Sequence, residues 1–361
     1  MSLKVGIVGL PNAGKSTLFN ALLKKQAALA ANYPFATIEP NIGIVPVPDE
    51  RLEKLARVIE QTEHVMPPLV PATVEFVDIA GLVSGASTGE GLGNKFLSHI
   101  REVDLICHVT RYFADEDVIH VAGSVDPKRD QGIIETELIL ADLQTLENQT
   151  LKSKNQKDIS KSKNDALQKL TEKLNKGISA RDTGLSIEEH HAIRDLHLLT
   201  LKPELYVSNI GEVQIKDFAS SNSTMKQLNN TMLISAKVES ELSALSESEQ
   251  KEYLASLGWD HSGLDRLIQV AYTTLGLISF LTVGVKESRA WTIAKGLKAP
   301  QAAGVIHTDF EKKFIRADVC ALDDFIGNLG WKGAREVGKV RSEGREYSMN
   351  DGDVVEFRIG T

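Results

Sequence analysis

The residues Gly9-Leu10-Pro11-Asn12-Ala13-Gly14-Lys15-Ser16 have the G-x-x-x-x-G-K-S spacing. Its glycines let backbone N–H groups turn inward and approach phosphate oxygens, and a helix starting directly afterwards presents its positive end to the same anion. A strand-like run, Val5 to Val8, precedes the motif and a helix-compatible run, Thr17 to Leu23, follows it, which is the context that triphosphate binding requires. Here Asn12, Ala13, Gly14 and Thr17 belong to the phosphate cradle, Lys15 sets a charge on the β and γ phosphates and acts in catalysis, and Ser16 offers a hydroxyl to Mg²⁺. A second motif, Asp78-Ile79-Ala80-Gly81, closes the apolar run Val74-Glu75-Phe76-Val77. Asp78 is expected to hold the metal's shell through water, and Gly81 to bring a backbone N–H to the γ-phosphate as part of the catalytic set. Thr37, in Tyr33-Pro34-Phe35-Ala36-Thr37-Ile38, stands where a threonine would join Mg²⁺ only when γ-phosphate is present.

The base is read further along. Guanine is selected by N/T-K-x-D after a strand, because one Asp carboxylate accepts from two adjacent guanine donors. After the strand-like Leu205 to Ser208 this chain has Asn209-Ile210-Gly211-Glu212, which lacks the lysine and carries a carboxylate one methylene too long. The reading is therefore ATP in preference to GTP, with Asn209, Ile210 and Glu212 near the base and Ser235-Ala236-Lys237 backing it. A GTP-preferring enzyme of the same fold, and a binding module whose nucleotide is mainly structural, are the alternatives. Leu82 follows Gly81 where a water-orienting glutamine would stand, and leucine cannot orient water. The attack geometry must come from a monovalent cation near Asn12, a loop residue such as His120, or a partner macromolecule.

The elements that position these residues are short apolar runs separated by helix-compatible stretches: Leu3 to Gly9, Val74 to Asp78, Asp104 to Thr110, Glu204 to Asn209 and Met232 to Ser235. That alternation predicts an α/β fold with a mostly parallel sheet covered by helices on both faces. The stretch 131–203 is too long for a crossover and reads as an inserted helical hairpin, with leucines 167, 170 and 174 at coiled-coil-like spacing and a Ser186/Glu189 capping box. From 279 onward short strands and a helix predict a small α+β domain, which leaves 1–130 and 204–278 as the nucleotide-binding domain. The 361 residues are 42% hydrophobic and 25% charged, the averages of a folded globular chain. No apolar run reaches membrane-spanning length, and two distant cysteines suggest reduced thiols, so a cytoplasmic protein without a membrane partner is expected. A net charge of −8 excludes a general nucleic-acid grip, and no DNA partner is expected. Between Thr150 and Arg181, however, nine Lys or Arg face three Asp or Glu, a local +6 suited to RNA phosphates.

Gly9 to Asn20, Asn32 to Asn41, Asp78 to Val83, Gly89-Glu90-Gly91-Leu92-Gly93-Asn94-Lys95-Phe96-Leu97, Asn209 to Glu212 and Ala302 to Lys312 together resemble the YchF family of Obg-like ATPases over nearly the whole chain. The resemblance implies a translation-factor-type P-loop G domain, an inserted helical hairpin and a C-terminal ubiquitin-like (β-grasp) TGS domain. It also implies Mg²⁺-dependent ATP hydrolysis and association with the ribosome, its large subunit and rRNA being the expected contact. By the same resemblance Asn12 corresponds to a potassium-coordinating asparagine, making K⁺ a second candidate ion, and His120 to a histidine proposed as catalytic.

Overall fold

A computed structural model describes residues 3–32, 41–79, 92–113, 125–153, 160–212, 214–215, 231–257 and 259–360. They form two compact units, Met1–Val45 with Glu75–Leu267, and Pro46–Val74 with Ile268–Thr361.

The first unit is built on a sheet of β1 (Lys4–Val8), β2 (Ile42–Pro46), β4 (Thr73–Asp78), β5 (Leu105–Arg111), β6 (Glu204–Asn209) and β7 (Thr231–Ile234), in the order β2-β4-β1-β5-β6-β7. β1 is parallel to both β4 and β5, β5 to β6, and β6 to β7, so their carboxyl ends share one edge. β5 is buried along its whole length, as a central parallel strand covered on both faces must be. Gly6 keeps β1 close to its cover, since a Cβ there would lie 2.7 Å from Ile79 Cδ1 and 2.8 Å from Val103 Cγ2.

Helix α1 (Lys15–Asn32) leaves the sheet directly from the phosphate loop. The long helix α4 (Pro127–Ser153) serves two cores with two faces. Ile134, Leu138 and Ala141 pack on the sheet with Val8, Ile79, Ile100 and Ile106, while Ile139 and Leu146 pack on Leu167, Leu170 and Leu174 of α5 (Lys161–Leu174). Ser160 caps α5, its side chain accepting from Lys163 N. The expected Ser186/Glu189 box opens α6 (Ile187–Ala192), with Ser186 N donating to Glu189 Oε2 at 2.6 Å and Glu189 N to Ser186 Oγ at 3.2 Å. The buried carboxylate of Asp142 bolts α4 to the chain entering β6: Leu199 N donates to Oδ1, and Thr200 N and Oγ1 to Oδ2, at 2.6 to 2.8 Å.

The second unit carries a sheet in the order β11-β10-β12-β8-β9-β3. Its strands are β3 (Leu69–Val70), β8 (Leu277–Val283), β9 (Ser288–Ala294), β10 (Phe314–Cys320), β11 (Arg341–Glu343) and β12 (Val354–Ile359). Phe280, Ile293, Phe314, Ala317, Val319 and Val355 form its core with the helix Ala299–Ile306. Two boundaries differ from the sequence reading. The start at 279 falls inside β8, and residues 46–74, read as part of the nucleotide-binding stretch 1–130, belong to the second unit. The cause is α2 (Glu50–Glu63), capped by Asp49, whose apolar face of Leu52, Leu55, Ala56, Val58 and Ile59 is buried there; Ser288 Oγ donates to Leu52 O at 3.0 Å and β3 pairs with β9. Both cysteines are buried and free. Among the described residues no helix is long and apolar enough to cross a membrane.

Candidate functional site

At the carboxyl edge of the first sheet the chain turns from β1 into α1 around a concave loop. Gly9 is required by proximity, because a Cβ would lie 2.3 Å from the Val109 carbonyl oxygen of β5. Asn12 (φ 63°) and Gly14 (φ 94°) lie in the left-handed region, where the two reversals that turn N–H groups inward are made. Ala13 N donates to Leu10 O at 3.3 Å and Leu18 N to Gly14 O at 3.0 Å, so helical bonding begins inside the motif. Ala13 is buried, while Asn12, Ser16 and Thr17 face solvent.

Lys15 is only 7% exposed, and its Nζ donates to Leu10 O at 2.9 Å, which folds the ammonium back over the loop. Burial lowers its pKa and Asp78 draws it back up. Asp78, opposite Ile7 in the β1–β4 register, shows the mirror image: burial raises its carboxyl and Lys15 lowers it. The two charges thus offset each other in a poorly hydrated place. Asp78 Oδ1 is buried and has no hydrogen-bond partner among the described residues. An unsatisfied carboxylate oxygen at the carboxyl end of β4 and an exposed serine hydroxyl at the start of α1 are oxygen donors of the kind that fit the hydration shell of Mg²⁺. Of the other expected catalytic and metal residues, Thr37, Gly81 and His120 lie outside the described residues.

The structure gathers Asn209, Ser235 and Ala236 at the loop from far along the chain. Asn209, 5% exposed at the end of β6, donates from Nδ2 to Ala13 O and accepts at Oδ1 from Ala236 N, both at 3.0 Å. Its amide is a latch between the phosphate loop and the turn after β7, which leaves one N–H and one lone pair for any other contact. Gly14 must be glycine partly for this reason, since a Cβ there would meet Asn209 Nδ2 at 2.0 Å. Ser235 caps the helix Ala236–Leu242, accepting from Val238 N. Ile210 is buried in an apolar cluster with Ile215, Leu233 and Val238, so its side chain belongs to the core and only its backbone faces the edge. Glu212 is exposed.

Sequence reasoning missed the residues that lace this edge together. Tyr112 N donates to Asn209 O at 2.9 Å, and Gln214 donates from Nε2 to Tyr112 O at 3.1 Å while accepting at Oε1 from Gly211 N at 2.7 Å. Arg111, 2% exposed, donates from Nε to Phe113 O at 3.1 Å and lies over the Phe113 ring, 4.6 Å from its centroid. None of these pairs has a motif spacing; the one available signal was that Arg111 ends a largely apolar run.

With this geometry in place, comparison with known proteins gives a consistent result. The family described as 50S ribosome-binding GTPase matches residues 4–149. The YchF-GTPase C-terminal family, described as a protein of unknown function, matches 277–360. The chain is 48% identical to the ribosome-binding ATPase YchF of Bacillus subtilis, covering 99% of this chain and 100% of that one. It is 46% identical to the protein of the same name in Escherichia coli O157:H7, over 99% of each. The solved YchF GTPase of Schizosaccharomyces pombe is similar in fold, with a TM-score of 0.85 at 38% identity, covering 99% of this chain and 98% of that one.

Proposed function

Because the chain belongs to the YchF family of P-loop nucleotide triphosphatases, we propose that it hydrolyses ATP in preference to GTP with Mg²⁺ and associates with the ribosome. The observation that carries the hydrolytic part is the buried Lys15 of the phosphate loop, together with the unsatisfied Oδ1 of Asp78, whose charge draws the lysine's pKa back up. In this reading the N–H groups of residues 12 to 17 hold the triphosphate, and Lys15 exchanges the Leu10 carbonyl for a phosphate oxygen. Its charge then acts at low dielectric, where it stabilises the developing negative charge of the transition state most. Ser16 and Asp78 would hold Mg²⁺, which when bound neutralises the β and γ oxygens. The relatives named ribosome-binding ATPases and the lysine-rich stretch 150–181 support the ribosomal partner. Residues 279–361 are read as a TGS domain, supported by parallel β8 and β12 in the middle of that sheet with antiparallel neighbours β9 and β10.

Base preference rests on Asn209-Ile210-Gly211-Glu212, where neither the lysine nor the short carboxylate of a guanine site is present. The first prediction follows. Labelled ATP and GTP titrated into the protein in one Mg²⁺ buffer should give the tighter binding to ATP, and removing Mg²⁺ should abolish turnover. Equal or reversed affinities would favour a GTPase, the activity for which the fission-yeast relative is named.

A further inference from the structure

Two segments meet at the carboxyl ends of the neighbouring parallel strands β5 and β6, residues 111–113 and residues 209–212 with Gln214. In sheets of this kind ligands bind outside those ends, and what a ligand meets is set by the backbone course of the loops. Asn209 is fixed on both sides by its latch to Ala13 and Ala236. β6 ends at Asn209, and beyond it Ile210 N donates to Ile234 O of β7 at 2.9 Å and Ile215 N to Gly211 O at 3.3 Å. One side chain ties this turn across to the end of β5. Gln214 bridges the gap by accepting from Gly211 N at 2.7 Å and donating to Tyr112 O at 3.1 Å, and Tyr112 N closes the ring on Asn209 O at 2.9 Å. Arg111 braces the other wall through Phe113, whose Cβ is 3.6 Å from where a Cβ on Gly211 would be.

A primary amide accepts from an N–H through its oxygen and donates to a carbonyl through its nitrogen at once; a carboxylate accepts only and a thioether does neither well. We propose that Gln214 is a positioning residue for the base end of the nucleotide: it acts through the 209–212 backbone and not on the phosphates. The proposal rests on the nucleotide-binding reading above and adds to it which residue shapes the base loop. It separates the two ends of the ligand, since Gln214 bonds to the 209–212 side of the site while Lys15, Ser16 and Asp78 stand at the phosphate loop.

The test uses the full-length protein, the variants Gln214→Met and Gln214→Glu, and two probes, ADP and inorganic tripolyphosphate, with ATP turnover measured in parallel. Losing the lace should weaken ADP binding and raise the KM for ATP about five- to tenfold in Gln214→Glu, which loses the bond to Tyr112 O, and at least as much in Gln214→Met, which loses both bonds. Tripolyphosphate affinity and kcat should stay within about twofold of wild type, because the phosphate cradle is intact. A general loss of folding would weaken both probes together. Unchanged ADP affinity, or equal weakening of ADP and tripolyphosphate, would overturn the role of Gln214. A wild type that bound ADP no more tightly than tripolyphosphate would instead overturn the reading of 209–212 as a base loop, and this proposal with it.

Discussion

Lys15 is a cation kept out of water with one carbonyl and one carboxylate for company. Such a group costs stability in the absence of an anion, and its value appears only when phosphate arrives. Lys15→Ala should therefore lower ATP turnover by at least about a hundredfold, the usual effect of removing one preorganised donor. Its thermal unfolding midpoint without nucleotide should change little, since relief of the buried ammonium offsets the attraction lost at Asp78 and Leu10 O keeps its contact from Ala13 N. A large fall in the midpoint would show Lys15 to be structural, and unchanged turnover would move the phosphate site elsewhere. The loop was legible in the sequence because its chemistry is contiguous: eight residues carry the spacing, the turn and the start of the helix. Asn209 was only half legible. Its place at a strand end could be read, but its bonds reach 196 residues back and 27 forward, and no local spacing encodes such a latch.

At the scale of elements, β6 is pinned at its first residue as well as its last. Glu204, with its side chain 2% exposed, accepts from Arg181 of the inserted helical region and lies 2.9 Å, at Oε1, from His108 Nδ1 on β5. Arg181 also donates to Lys202 O at 2.7 Å, so guanidinium and carboxylate share one buried junction between insert and sheet. Burial pushes the Glu204 carboxyl up, but the His108 hydrogen bond and charge, with Arg181, outweigh it and leave it below the ordinary carboxylate range. A carboxyl lowered by folding contributes stability that is present above its unfolded pKa, about 4.3, and is lost as pH falls through the lower folded value. Glu204→Gln should cost about 3 to 5 kcal/mol at pH 7, because it leaves the largely buried Arg181 guanidinium without its counter-charge. Between about pH 5 and pH 3 the variant should lose less stability than wild type, as urea unfolding at the two pH values would record. Parallel pH dependence in the two proteins would show that the junction does not titrate on unfolding. The helices of the insert were readable from the spacing of their leucines and from the Ser186/Glu189 box, both local signals. The junction was not, because His108, Arg181 and Glu204 look like ordinary polar residues until three elements meet.

At the scale of the whole chain, the excursion of residues 46–74 into the second unit escaped the sequence because β3 is two residues long and carries no periodicity, while α2 is amphipathic and would suit either core. Charge distribution, by contrast, can be read without the fold, although the structure edits it. Of the lysines expected to meet RNA phosphates from the insert, Lys163 donates to both carboxylate oxygens of Asp195, at 2.8 and 3.0 Å. Lys169 pairs with Glu189 and Lys176 with Glu172. The local excess of +6 between Thr150 and Arg181 is thereby partly neutralised along α5, and what remains gathers toward its start. Lys161 is exposed there, and Lys152, Lys154 and Lys157 precede it, their side chains outside the described residues. If the ribosome is the partner, each phosphate these lysines neutralise releases counterions, so affinity should fall linearly with salt on logarithmic axes, by about 0.7 to 0.9 per contact. Ribosome co-sedimentation across a salt series should show the slope of a variant with Lys152, Lys154, Lys157 and Lys161 changed to Gln reduced by about three. Lys163→Gln alone should change the slope little, because its charge is already spent on Asp195, and ATP turnover without ribosomes should be the same in all three proteins. Identical salt curves for wild type and the four-lysine variant would show this end of the insert to be a solvated tip. The contact would then have to be sought at Lys312 and Lys313 in the second unit, where Arg316 is tied by its Nε to Asp318 at 3.2 Å and has less charge to offer.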